Sequence, residues 1–66
     1  MNLFINGEPR KFANAKTIPD LVAALGLQPS MVLVEHNGLA LHRSEWPSTR
    51  LAEGDRIEIL QVAAGG

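Results

Sequence analysis

The chain has 66 residues, a formal net charge of −1, no cysteine and a hydrophobic fraction of 45%. At that length one small domain is expected over residues 1–66, burying only about 60% of the surface that its unfolded chain exposes. The missing thiols exclude a disulfide scaffold, a cysteine nucleophile and a thiolate metal site, and a chain without a basic block has no nucleic-acid footprint.

Residues 2–6 alternate, with Leu3 and Ile5 on one face and Phe4 on the other, which is strand spacing. Asn6 and Gly7 then supply the positive φ values of a hairpin turn. Residues 8–13 read as the returning strand, held at the sheet edge by Pro9, which has no N–H to donate. A helix starts at Thr17, Ile18, Pro19 and Asp20: threonine caps, proline suits the first turn, and aspartate complements the helix dipole. Ile18, Leu21, Val22 and Leu25 fall on one stripe. Gly26 ends the helix in a left-handed cap, and Leu27 folds back toward Val22.

Residues 31–36 are rich in β-formers and reach a second turn at Asn37 and Gly38. A short strand is predicted over 39–43, then an irregular stretch over 44–51 with Pro47 breaking pairing and Trp46 folded onto the body. Glu53, Gly54 and Asp55 make a tight turn before a last strand over 56–62, where Ile57 and Ile59 share a face. Leu60 and Val62 break its polar alternation. Hairpin, helix and further strands form an α+β arrangement whose helix stripe needs a covered sheet face. The expected architecture is a β-grasp, ubiquitin-like fold: a mixed sheet of 4–5 strands with one helix packed on one face.

No apolar run approaches the roughly 18 residues of a membrane span, and residues 1–12 hold no apolar core of a signal peptide. The expectation is a cytoplasmic protein, monomeric when free, with no membrane or nucleic-acid partner. Nothing in the chain makes a convincing catalytic centre. His36 and His42 flank a turn, with Ser44, Glu45 and Asp55 nearby, but no local signature sets nucleophile, base and orienter within reach. Two histidines six positions apart are a weak zinc signal, so no metal and no catalytic residue is assigned. Gly7, Gly38 and Gly54 belong to tight turns and leave no phosphate-cradling loop. A domain this small also has little room for a substrate pocket of roughly 300–1,000 Å³.

The chemistry points instead to Gly65 and Gly66. Two glycines at a given pair of positions arise by chance in roughly 0.5% of chains, and these follow an apolar strand without any serine-rich or charged linker. Glycine lacks Cβ and threads a narrow channel where a side chain would clash. A flexible tail over 63–66 (Ala63, Ala64, Gly65 and Gly66) reaches at most about 14 Å. That is enough to enter another protein's active site while the domain docks outside. A carboxylate is a poor electrophile and needs activation there, for example as an acyl-adenylate.

Asn37, then Arg43 with Trp46 three residues on, then residues 54–59 (GDRIEI) and 61–66 (QVAAGG) resemble the ThiS family, the bacterial sulfur carriers of thiamine biosynthesis. The likeness runs across the whole chain, and the joined turn, strand and diglycine are its most specific part. His42 stands where the family commonly has proline. The resemblance implies that the Gly66 carboxylate is adenylated by a ThiF-type, E1-like partner that uses ATP, then converted to a thiocarboxylate. Its sulfur would go to a ThiG-type thiazole synthase. The chain itself would be a protein co-substrate with no bound cofactor, and Gly65, Ala64 and Ala63 would thread the partner's site. The alternatives are a MoaD-like carrier for another cofactor, a ubiquitin-like protein modifier, and a non-carrier interaction module. Independently of the family, Phe4, Leu60 and Val62 share one parity, so they are expected to form an exposed apolar patch leading to the tail.

Overall fold

A computed structural model describes residues 1–62 of the chain. Five strands, β1 (Asn2–Ile5), β2 (Glu8–Lys11), β3 (Val32–His36), β4 (Leu39–Ala40) and β5 (Arg56–Gln61), form one sheet in the order β2-β1-β5-β3-β4. The central pair β1 and β5 is parallel and the others are antiparallel, so the sheet is mixed. One α-helix, α1 (Ile18–Ala24), covers one face. This is the expected β-grasp fold.

Alternation decides the faces. Leu3, Ile5, Val32, Val34, Ile57 and Ile59 point inward and meet Ile18, Leu21 and Val22 of the helix, all buried. A strand buries every second residue, and a helix its i, i+3, i+4 stripe, so both periods converge on one core. Asp20 accepts hydrogen bonds from the Lys16 and Thr17 backbone N–H groups, 3.0 and 3.2 Å, which cap the helix start. These bonds hold the Asp20 carboxyl below its usual range. Gly26, at φ +72°, closes the other end, where Leu27 N–H bonds to Val22 O and Gly26 N–H to Ala23 O. Those two bonds are the Schellman pattern.

Both Asn-Gly turns form with positive φ at each residue, and each asparagine does a second job. The Asn6 side chain accepts from Ile59 N–H (2.7 Å) and donates to Ile59 O (3.1 Å). It thereby continues the β1–β5 ladder by one step after its backbone has turned away. Asn37 likewise accepts from Arg56 N–H at 2.8 Å. Composition alone marks these residues as turn formers and is silent on this bonding.

Three boundaries differ from the sequence expectation. The second strand stops at Lys11 because Phe12 turns into the core and bonds back to Met1 O. A 3₁₀ turn, Pro29–Met31, precedes the third strand. The strand expected over 39–43 is only Leu39–Ala40, because the chain enters a 3₁₀ helix at Arg43–Ser48. Glu45 starts that helix by accepting from His42 N–H at 2.7 Å. His42 sits at φ −75°, an angle proline would also adopt, but a proline there would have no N–H to give Glu45. Trp46, from the same helix, is buried in the core.

Candidate functional site

The tail residues Ala63, Ala64, Gly65 and Gly66 lie outside the described residues, so the site is built from the strand that leads to them. Val62 N–H bonds to Met31 O at 2.8 Å, which ties the last described residue to the start of β3. Beside it, β4 is too short to reach Val32. The Arg43 guanidinium takes the place of a strand there, donating to Val32 O at 3.0 Å. The same guanidinium lies over the Trp46 ring, 5.4 Å from its centroid. Arg43 and Trp46 thus brace the corner where the chain leaves the sheet.

The face of the sheet away from α1 is open. Phe4, Leu60 and Val62 are all on it and all exposed, as their parity predicts. They do not form one patch. The parallel register sets Phe4 beside Arg56, four residues before Leu60, or about 13 Å along the strand. The Arg56 guanidinium lies over the Phe4 ring, 5.9 Å from its centroid. Parity fixes a face and says nothing about height along a strand, so shared parity does not make the three contiguous. The actual neighbour of Leu60 is Leu33, directly opposite on β3, and the two are 63% and 56% exposed. Leu33 was readable as an outward residue between Val32 and Val34. A groove of about 480 Å³ runs past this pair, between Leu41 and Ala40 on one side and Asn6 on the other. That volume exceeds what the chain's size suggested, but the groove is lined by leucines and glutamates without a nucleophile or histidine.

The possible acid–base cluster has a different use. His36 Nε2 and Asp55 Oδ2 are 2.7 Å apart. Asn37 donates to Asp55 Oδ1 at 3.1 Å and Ala52 N–H to Oδ2 at 2.9 Å. The partners of His36 among the described residues are Asp55 and Asn37, so no hydroxyl completes a triad. The network also sits at the opposite end of β5 from Val62, about 20 Å away. Among the described residues no group of three or more His, Asp or Glu is placed to hold a metal, and no helix is long and apolar enough to cross a membrane.

Partial burial raises the Asp55 pKa, but the hydrogen bonds from His36, Asn37 and Ala52 outweigh it, leaving the carboxyl below its ordinary 3.8. A depressed folded-state pKa contributes stability that is present above the unfolded value and lost as pH falls through the folded one. Urea midpoints should therefore fall on acidification below about pH 4, and less steeply in Asp55→Asn. At neutral pH that variant should lose about 1–3 kcal/mol, since its bonds are no longer charge-assisted. A pH profile parallel to the wild type would remove Asp55 from this role.

Residues 3–66 match the model of the ThiS family. A crystal structure of the thiamine biosynthesis protein ThiS from Geobacter metallireducens superposes with a TM-score of 0.82 at 36% identity, covering all of both chains. A solution structure of a thiamine biosynthesis protein from that organism gives 0.80 at 35% identity, covering all of this chain and 88% of the other. A thiazole synthase of Paramagnetospirillum magneticum is 35% identical over 66 residues, all of this chain, which spans only 20% of that relative's length. An uncharacterised protein of Trieres chinensis is 27% identical over 96% of this chain and 86% of its own length. The fold shared with those structures and a family match that runs through the diglycine agree, and the chain belongs to the ThiS family.

Proposed function

We propose that this protein is a sulfur carrier of thiamine biosynthesis, acting as a co-substrate and not as a catalyst. The single observation that carries the reading is the family match, which extends over residues 3–66 and so includes Gly65 and Gly66. In the proposed cycle a ThiF-type partner joins the Gly66 carboxylate to AMP from ATP, releasing pyrophosphate. Hydrosulfide then attacks the acyl carbon and displaces AMP, leaving a terminal thiocarboxylate. Its sulfur anion is the nucleophile, as a thiolate would be, and a ThiG-type thiazole synthase consumes it. ATP is bound by the partner, and the cycle runs in the cytoplasm.

Two features support this division of labour. The likeness to part of a protein named thiazole synthase favours a partner of that kind. The exposed Leu33 and Leu60, next to the first residue of β3 and the last of β5, give a partner an apolar surface to grip beside the tail. Ala63, Ala64 and Gly65 would thread the partner's site, Val62 would lie at its mouth, and Phe4 would touch it at most from the far end of β5.

Intact mass decides the matter. After incubation with ATP, a sulfide source and the activating enzyme of the same organism, Gly66 should gain one sulfur in place of one oxygen. An unchanged terminus would overturn the carrier reading, and lysine conjugates of higher mass would mark a protein modifier instead.

A further inference from the structure

The open face carries an unfavourable arrangement beside the leucine pair. Glu35 on β3 and Glu58 on β5 stand directly opposite each other. Both are exposed and both line the groove that runs past Leu33 and Leu60. Like charges directly opposite on neighbouring strands destabilise a sheet. No cation relieves them: among the described residues the ion pair within 4.0 Å is His36 with Asp55. Arg56, two residues before Glu58 on the same face, lies over Phe4 instead. The free protein thus keeps an apolar pair and an acidic pair side by side, about 7 Å apart along the strands.

We propose that the Glu35–Glu58 pair receives an arginine or lysine of the enzyme that activates Gly66, while Leu33 and Leu60 hold an apolar side chain of the same enzyme. This rests on the carrier reading above. The reach of the tail says which protein sits here. The four residues after Val62 reach at most about 14 Å, so any enzyme acting on the Gly66 carboxylate must press close to Leu60, two positions before Val62. Its surface meets the leucines first and the glutamates one step further from the tail. A cation there satisfies both carboxylates at once and fixes the register in which the tail enters. A partner with an acidic or neutral residue at that step is rejected, so the pair sets specificity as well as affinity.

The test measures adenylation kinetics with the activating enzyme of the same organism, using Glu35→Gln, Glu58→Gln and the double variant. Each single change should raise KM about 3- to 5-fold and the double about 10-fold or more, with kcat within about 2-fold, because the contact serves encounter and docking and not chemistry. Added salt should raise the wild-type KM more steeply than that of the double variant. Thermal midpoints of the free variants should equal or exceed the wild type, since the like-charge opposition is gone. A structural role for the glutamates would move them the other way. KM values within 2-fold of a normally activated wild type would overturn the ionic contact and leave the carrier reading standing. Lower midpoints together with parallel salt dependence would overturn it as well. A wild type that is never adenylated would overturn both.

Discussion

Trp46→Ala is expected to lose about 3–5 kcal/mol of folding stability. The scale matters because a domain of this length has only about 3–10 kcal/mol in total, at 0.05–0.15 kcal/mol per residue. The ring is 4% exposed and packs in the core with the helix stripe. It is also the platform for Arg43, whose guanidinium closes the Val32 carbonyl that β4 leaves open. Removing the indole therefore opens a cavity and loosens the corner where β5 ends. Trp46→Phe separates the causes. The buried indole N–H has no hydrogen-bond partner among the described residues, so phenylalanine forfeits volume but no bond and should cost about 1–2 kcal/mol. Urea unfolding followed by far-ultraviolet circular dichroism reads both. An alanine variant within 1 kcal/mol of the wild type would mean that the 3₁₀ helix is a surface appendage.

The parts of the fold that were legible in the sequence are those governed by local chemistry. Asn6, Gly7, Asn37 and Gly38 announce their turns because positive φ is tolerated by few residues. The helix between Thr17 and Gly26 is legible because cap, stripe and terminator are contiguous. The inward faces follow from strand parity. What was not legible depends on contacts distant in sequence. The β1–β5 register rests on Asn6 reaching Ile59, 53 positions away, and no periodicity encodes that reach. Parity therefore placed Phe4 on the right face and left its distance from Leu60 open. The strand expected over 39–43 failed for a similar reason. Its residues suit a strand, but Glu45 captures the His42 N–H and bends the chain into the core through Trp46. The terminal site was conspicuous as a composition feature, while the leucine pair that flanks its approach needed the register of β3 against β5 to be seen.

That geometry makes docking and chemistry separable, and two variants should separate them. Leu60→Asp alters a residue that is 63% exposed, so its folding cost should be about 1 kcal/mol, from strand propensity and the lost pairing with Leu33. It sets a carboxylate opposite Leu33 and two positions from Glu58, where an apolar side chain of the partner would have to desolvate it. KM for adenylation should rise at least about 10-fold, the size of a lost interface anchor, with kcat nearly unchanged. Adding one alanine after Gly66 should do the opposite. The docking face is intact, so the extended protein should bind the activating enzyme and compete with the wild type. Its carboxylate, however, is carried one residue, about 3.5 Å, past the attacking position. Misplacement by 1 Å can already cost about 100-fold in rate, so turnover should vanish. Competition by the extended protein, read alongside its unmodified mass, is the observation that assigns grip to the sheet and reaction to the tail. If the extended chain were adenylated as fast as the wild type, the length of the tail would not set where its carboxylate reacts. If Leu60→Asp kept its KM, the partner would grip another face.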